Sequence, residues 1–257
     1  MEDLTTEARS ALRGAVLGTP MTIDDVVDQL RAIEVAARTL LPQGERSGIA
    51  CFTRLYRDVT IAVCEGAQGD RFRTDDFILR LDVAFARRYL AALRAHLQPT
   101  TTKTTPACWT MLFDGRTDDA PEWHSAALGV TAHVVFDLVF ALLDVWERDD
   151  PGADLDAQRR DYDEINEIFA ENMDRLRENA GAPAADEDHD GRWPDRWSNL
   201  ASGALVTWTR GQAWDQAVKL WNVRAPWYRQ RQESDLDERA CFYSGVILTI
   251  RHPDWLP

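Results

Sequence analysis

The sequence predicts an all-α fold, a single-domain bundle of about eight helices. Apolar residues recur at intervals of three and four along most of the chain, which is the spacing of a buried helix face. The regular alternation of apolar and polar residues that marks strands is missing. Glycine (14) and proline (11) are few among 257 residues, so helices can be long, and the length suffices for one large core.

Capping signals place the helices of the N-terminal half. Thr22 and Asp25 have the spacing of a capping box, and apolar residues follow at helical intervals. Ser47 can cap a helix that ends near Gly66. Thr74 begins another helix, which we expect to reach about residue 97, before Pro99.

The C-terminal half is predicted to be helical as well. The residue pattern predicts helices over 121–147, 154–179, 196–209, 212–223 and 235–250. Ser234 and Asp237 have the spacing of a second capping box at the start of the last of these helices. No internal repeat divides the chain, so residues 1–257 are predicted to form one domain.

Two segments are set apart within this domain. The N-terminal helices of residues 1–46 are compatible with a peripheral position on the bundle. Residues 180–195 read AGAPAADEDHDGRWPD, which is small, acidic and rich in turn residues, and this composition predicts a flexible acidic loop.

The charge of the chain excludes some classes of partner. A net charge of −14 with pI about 4.8 argues against nucleic acid and against an anionic membrane surface, because both require a basic face. No uncharged run reaches the roughly 18 residues of a membrane span. The four cysteines show no C-x-x-C spacing, and a cytoplasmic location is expected. The sequence leaves open whether the chain forms an oligomer.

Helix 74–97 carries a carboxylate on its apolar side. Arg80, Arg87 and Arg94 fall on one line, at about 100° per residue, and are predicted to face solvent. Asp82 lies roughly 140° from that line, among apolar residues. A carboxylate in a core is costly unless it is paired, so Asp82 needs a partner from another element.

Helix 121–147 is almost wholly apolar, yet it carries a line of ionisable residues. His133, Asp137 and Asp144 fall within about 40° of one another on the helical wheel. We therefore expect the two helices 74–97 and 121–147 to form a central buried pair. In a structural interpretation, the line is an exposed edge or a buried hydrogen-bond network. In a functional interpretation, it faces a cavity in which His133 and Asp137 form an acid/base pair, with Asp82 opposite.

Metal binding is a further alternative at the same position. His133 and Asp137 are spaced so that both can reach one ion. The usual helical metal motifs, H-E-x-x-H and repeated Glu-x-x-His, are absent, so no metal site and no cofactor are assigned. The segment DDAPE (118–122) matches a D-D-x-x-E magnesium box, but Pro121 at a helix start speaks against one continuous helix there.

Six of the ten tryptophans lie within 35 residues near the C-terminus. Trp214 and Trp221 are seven apart and so share one helix face. Packing in the core explains such a cluster. It is also typical of an aromatic pocket wall for an apolar or cationic small molecule.

Several segments together resemble a helical bacterial family known as domain of unknown function 5995. The segments are CFTRLYRDV (51–59), RLDVAFARRYL (80–90), 109–113, ALGVTAHVVFDL (127–138), DYDEIN (161–166) and AWDQAVKLW (213–221). They occur in order over about residues 48–225. The resemblance implies a compact helical domain without an established activity.

The recurrent polar positions of that family match Arg54, Asp82, Arg88, His133 and Asp137. The sequence also departs from the family pattern. Val135 stands where the family has an asparagine, and Val139 where it has a proline. Loss of that asparagine implies a more apolar pocket.

These observations lead to a functional hypothesis. We expect an enzyme that acts on a small, largely apolar substrate by acid/base chemistry, such as isomerisation, cyclisation or elimination. His133 is the candidate proton-transfer group, and Asp137 and Asp82 complete the catalytic set. The residues assigned to substrate binding are Arg54 and Arg88, for an anionic group, together with Tyr89, Trp109 and Trp214.

Two alternatives remain beside this hypothesis. One is a non-catalytic protein that binds a ligand or a partner, in which the polar line only satisfies buried hydrogen bonds. The other is a metal-dependent enzyme that uses His133 and Asp137.

Overall fold

The computed structural model of the chain describes residues 5–98, 104–114, 122–148, 154–179, 203–223 and 225–249. These residues form nine helices and no strand, which confirms the predicted all-α bundle. The helices are α1 Thr6–Ala15, α2 Ile23–Leu40, α3 Gly48–Gln68, α4 Asp75–Leu97, α5 Ala107–Phe113, α6 with the consecutive parts Glu122–Thr131, Ala132–Asp137 and Leu138–Trp146, α7 Leu155–Asn179, α8 Gly203–Val223 and α9 Pro226–Thr249. The acidic segment 180–195 and residues 118–121 lie outside the described residues.

The predicted capping signals are present at the starts of α2 and α3. Thr22 and Asp25 form a complete capping box, since each side chain accepts a hydrogen bond from the backbone of the other. Ser47 accepts a hydrogen bond from the backbone N–H of Ala50 at 3.0 Å. These contacts satisfy donors that the first helical turn leaves free.

The start of α4 is capped from another helix rather than by its own residues. Thr74 makes no side-chain cap of its own. Instead, the Asp161 carboxylate of α7 accepts backbone hydrogen bonds from Arg73 and Thr74, at 2.7 and 2.6 Å. These bonds and the Thr74 hydroxyl bond lower the pKa of Asp161, against the opposing effect of burial. The contact joins α4 to α7 beside the candidate site.

The two helices at the C-terminal end are longer than the sequence predicts. The sequence predicts a break between helices 196–209 and 212–223. This break is wrong, because α8 runs unbroken from residue 203 through Gly211. The predicted start of the last helix at Ser234 is also wrong, since α9 begins at Pro226. Proline suits the first position of a helix, because its missing N–H would have no helical partner there.

Asp237 caps a helix other than its own. Its carboxylate accepts backbone hydrogen bonds from Ala107 and Cys108, at 2.9 and 2.8 Å, at the start of α5. The predicted capping box of Ser234 and Asp237 is therefore wrong, because Asp237 caps α5 and Ser234 lies inside α9. The Asp237 cap fixes α5, which carries Trp109, against α9.

The arginine line of α4 does not simply face solvent, which corrects the sequence prediction. Arg87 donates to the Pro20 carbonyl at 2.6 Å, and Arg94 donates to the Gly18 carbonyl at 2.8 Å. Arg80 pairs with the exposed Asp76 carboxylate. The two inner arginines thus bind the connection between α1 and α2 to the bundle.

α4 and α6 form the predicted central pair, and their side chains dominate the core. Ile78 and Leu93 of α4 and Val139 and Leu142 of α6 have no solvent exposure. The stretch His124–Trp146 is long and apolar enough to cross a membrane by length and composition, but 78% of its most apolar window is buried inside the bundle. A core helix of a water-soluble protein has the same properties.

Candidate functional site

A cavity of about 60 Å³ lies between α3, α4, α6, α7 and α8. Most of its lining is apolar and includes Phe52, Phe85, Val134 and Leu138. Four polar side chains also line it, and these are Tyr56, Asp82, His133 and Arg210. The cavity is much smaller than the roughly 300–1,000 Å³ of sites for drug-sized ligands. It therefore fits a compact molecule.

Each of the four polar side chains has a buried atom without a hydrogen-bond partner in the described part of the chain. These atoms are Tyr56 Oη, Asp82 Oδ2, His133 Nε2 and Arg210 Nε. An unpaired buried polar group costs about 1–3 kcal/mol, and folded proteins pair most such groups. Four in the lining of one cavity are what a site for a polar or charged ligand requires.

His133 is held in place by a polar and an aromatic contact. Its Nδ1 lies 3.0 Å from Asp137 Oδ2, and Trp109 Nε1 donates to the same oxygen at 3.0 Å. The ring of Phe85 lies parallel to the imidazole, with centroids 3.3 Å apart. One ring nitrogen is therefore bound to the protein, while Nε2 is buried without a hydrogen-bond partner among the described residues.

His133 and Asp137 occupy a local irregularity of α6. The six residues Ala132–Asp137 form a π-helical turn, in which backbone hydrogen bonds span one residue more than in an α-helix. Such turns occur frequently at functional sites. The irregularity rotates the following residues away from the line predicted by the regular wheel.

Asp144 illustrates this rotation, because it does not join His133 and Asp137 as the wheel predicts. Its carboxylate instead accepts hydrogen bonds from Arg88 at 2.7 Å and from Arg229 at 3.3 Å. The predicted line of three ionisable residues is thus wrong at Asp144. Only the His133–Asp137 part of it is buried beside the cavity.

Burial reverses the usual order of the pKa values of His133 and Asp82, the two acid/base groups that line the cavity. It lowers the pKa of His133 well below 6.5, so the imidazole is uncharged at neutral pH. It raises the pKa of Asp82 to about 7, although the nearby Thr60 hydroxyl opposes the shift. At neutral pH the cavity therefore contains a neutral imidazole and a carboxyl group that is partly protonated.

Burial also dominates the titration of Asp137. It raises the pKa of this carboxyl to about 8, against the charge of Arg88 and the hydrogen bond from Trp109. The buried pair thus favours its uncharged forms. The position of one proton between Asp137 and His133 decides whether Nε2 offers a lone pair or an N–H to the cavity.

The structure brings together some of the residues selected from the sequence. Asp82 and His133 line one cavity. Asp137 and Trp109 lie behind His133 and contact its ring or its hydrogen-bond partner. Tyr89 is fully buried nearby, where its hydroxyl and that of Thr53 are 2.7 Å apart.

The other selected residues do not line the cavity. Arg88 pairs with Asp144 and lies over the ring of Phe140. Arg54 is half-buried on α3 and is not part of the lining. Trp214 packs between Trp146 and Tyr162 in the core. The cavity geometry therefore does not favour direct contact between these three side chains and a substrate.

Arg210 is the functional candidate that sequence reasoning missed. It is 5% exposed and lines the cavity. The sequence did contain a signal, because Arg210 shares helical spacing with Val206, Ala213 and Ala217, which are all buried. Arg210 is thus a charged residue on the buried face of its helix, as Asp82 is on α4.

The metal alternative gains no further ligand from the fold. Among the described residues, no group of three or more His, Cys, Asp or Glu side chains is placed to hold an ion. His133 and Asp137 supply only two donors, while metal sites in proteins usually take at least three protein ligands.

Comparison with known proteins places the chain in a family without supplying an activity. No curated protein and no solved structure matches it. One family model, described as a family of unknown function, matches residues 23–250 and so covers most of the chain. The matched range contains the whole cavity lining and α2–α9. The chain therefore belongs to the family of unknown function DUF5995.

Proposed function

We propose that the protein is an enzyme that transfers protons on a compact, largely apolar molecule bound in the cavity. The observation that supports this most strongly is that His133 and Asp82 both line one apolar cavity, and that each has a buried atom without a hydrogen-bond partner among the described residues. Their titrations shift in opposite directions. Catalytic acids and bases are commonly tuned in this way by burial.

The roles follow from the protonation states. When Asp137 is ionised, His133 Nδ1–H donates to it, and Nε2 carries a lone pair that can remove a proton from a carbon of the ligand. This form gains population as the pH rises through about 8, the pKa of Asp137. Protonated Asp82 can deliver a proton to a second position, so that one proton is taken up and one is given. Asp137 is a positioning residue, because it orients His133 without lining the cavity. Isomerisation, cyclisation and elimination are the reaction types that such a set can serve.

Composition supports the setting proposed for this reaction. The net charge of −14 disfavours nucleic acid and anionic membranes as partners. The four cysteines all carry free thiols, as is usual in a reducing cytoplasm. We therefore propose a cytoplasmic enzyme whose partner is a small molecule.

Incorporation of solvent deuterium tests the proposal. The protein is incubated in D₂O with a panel of short-chain keto acids and unsaturated acids, and mass spectrometry detects molecules that gain deuterium. We expect exchange with the wild type and its loss in His133→Asn and Asp82→Asn. His96→Asn is the matched control, because His96 also faces an aspartate, Asp114 at 3.7 Å, away from the cavity.

Two outcomes count against catalysis. Exchange that survives in His133→Asn would show that another group moves the proton. Binding of a panel member without exchange in the wild type would instead identify a ligand-binding protein.

A further inference from the structure

Arg210 stands out as a buried cation without an anion. Two reciprocal hydrogen bonds hold it to α7: Arg210 Nη2 donates to the Tyr162 carbonyl at 2.8 Å, and the Tyr162 hydroxyl donates to the Arg210 carbonyl at 2.7 Å. The guanidinium also lies over the Tyr162 ring, 4.2 Å from its centroid. These contacts fix the position of the guanidinium but do not neutralise its charge.

The neighbouring arginine shows the usual arrangement. Arg159 also lies over Tyr162, and it forms ion pairs with Asp163 and Asp215, at 2.8 and 3.4 Å. In the described part of the chain, no carboxylate comes within ion-pair distance of Arg210. Burial lowers the pKa of Arg210, and the charge of Asp163 opposes this shift, but the Asp163 carboxylate is itself paired with Arg159.

The hydrogen bonds of Arg210 are also incomplete. A guanidinium has five N–H donors, and a single one has a hydrogen-bond partner among the described residues, the Tyr162 carbonyl. Nε is buried and unpaired. A buried charge is costly unless it is paired and hydrogen-bonded. The position thus has the charge, the free donors and the adjoining cavity that an anionic ligand group requires.

We propose that Arg210 binds a carboxylate group of the ligand, so that the substrates are compact monocarboxylic acids. The planar fork of a guanidinium matches the two oxygens of a carboxylate. The small volume of the cavity, about 60 Å³, favours a short chain. Phe85, Val134 and Leu138 accommodate its apolar part. This inference rests on the proposed function in that both need a ligand in this cavity.

Calorimetric titration of the full chain with matched acids and amides tests the inference. The probes are acetate, propionate, butyrate and isobutyrate, each compared with its uncharged amide. We expect at least one acid to bind about tenfold or more tightly than its amide, because hydrogen bonds between charged partners are strong. Arg210→Gln should abolish that preference. Arg159→Gln should keep it, since Arg159 contacts the same tyrosine outside the cavity lining.

Several results would overturn the inference. These are equal binding of acid and amide by the wild type, no binding of any acid, or an unchanged preference in Arg210→Gln. Methyl phosphate is the comparison anion, and tighter binding of it than of any acid would exclude a carboxylate site. If Arg210→Gln does not fold, Arg210→Lys retains the charge without the fork and should lose part of the preference.

The result is separable from catalysis. His133→Asn should lose deuterium exchange but retain the preference for the acid. Exchange that persists in His133→Asn together with an intact preference would therefore contradict the role of His133 and leave the role of Arg210 standing. Deuterium exchange by a wild type that binds acid and amide equally would contradict the role of Arg210 and leave the role of His133 standing.

Discussion

The ring of Phe85 lies flat on the imidazole of His133, with centroids 3.3 Å apart and planes inclined by 5°. Asp137 holds the same imidazole through Nδ1. The stacking ring excludes water from one face of the imidazole, and the carboxyl group sets its rotation. These two contacts accompany the burial that disfavours the charged form of His133. They also leave Nε2 without a protein partner.

Asp82→Asn should stabilise the protein at neutral and alkaline pH. The pKa of Asp82 is about 7 in the folded chain, against 3.8 without burial. The folded state thus binds this proton more tightly, so its contribution to stability is present below about pH 4 and is lost as pH rises to about 7. Relative to the wild type, the unfolding free energy of the variant should rise over that range by at most on the order of 4 kcal/mol.

Urea unfolding at a series of pH values measures this difference. Asp76→Asn is the control, because Asp76 lies on the exposed side of the same helix. A difference between Asp82→Asn and the wild type that stays flat with pH would mean that Asp82 is paired in the folded protein.

Asp137→Asn tests the role of Asp137 in proton transfer separately from its role in folding. Its amide oxygen can replace Asp137 Oδ2, which contacts both Trp109 Nε1 and His133 Nδ1, and can accept a hydrogen bond from both. The amide carries no negative charge, however, and so cannot stabilise the imidazole after it takes up a proton. We expect stability within about 1 kcal/mol of the wild type and loss of proton transfer. Asp137→Ala leaves the Trp109 N–H unpaired and should cost about 1–3 kcal/mol.

Ring ¹⁵N spectra of His133 and deuterium exchange provide the two readouts. If Asp137→Asn exchanged deuterium as fast as the wild type, the charge of Asp137 would not contribute to proton transfer by His133.

Gly129→Ala should damage the cavity wall. A Cβ at Gly129 would lie 2.2 Å from Phe52 Cδ2, and Phe52 lines the cavity. Overpacking of this kind costs about 1–3 kcal/mol, and the shifted ring should also weaken ligand binding. Thermal unfolding and calorimetry measure the two effects.

Gly245→Ala is the matched control, because nothing lies within 4 Å of a Cβ there. It should stabilise α9 by about 0.5–1 kcal/mol, since alanine is favoured over glycine inside a helix. Equal stability of the two variants would contradict the close contact of Gly129 with Phe52.

Helical periodicity predicts much of this fold, but it does not predict contacts between helices. The central pair and the inward position of Asp82 follow from spacing alone, since a regular helix fixes which residues share a face. Asp144 does not follow, because a π-helical turn breaks the regular spacing before it. Asp237 shows the other difficulty: its capping pattern is local, yet its partners are 129 and 130 residues away.

The sequence likewise predicts only some of the residues of the candidate site. His133, Asp137 and Asp82 are charged or polar residues on strongly apolar helices, so the sequence singles them out. Arg210 lies on a helix with several polar residues, and its burial depends on α7. Arg88 is the opposite case. The sequence selects it as a polar residue near the core, but its guanidinium pairs with Asp144 and so has a structural role.

The most direct test of the proposed site is ring ¹⁵N NMR of His133, followed as butyrate is added. His133→Asn assigns the signals, and His96 serves as the internal control. We predict an uncharged imidazole at pH 6, because burial lowers the pKa of His133 well below 6.5. We also predict that butyrate shifts the Nε2 signal more than that of Nδ1, which Asp137 holds. A ring that titrates near 6.5, or an Nε2 signal that no acid of the series shifts, would contradict a ligand site at His133.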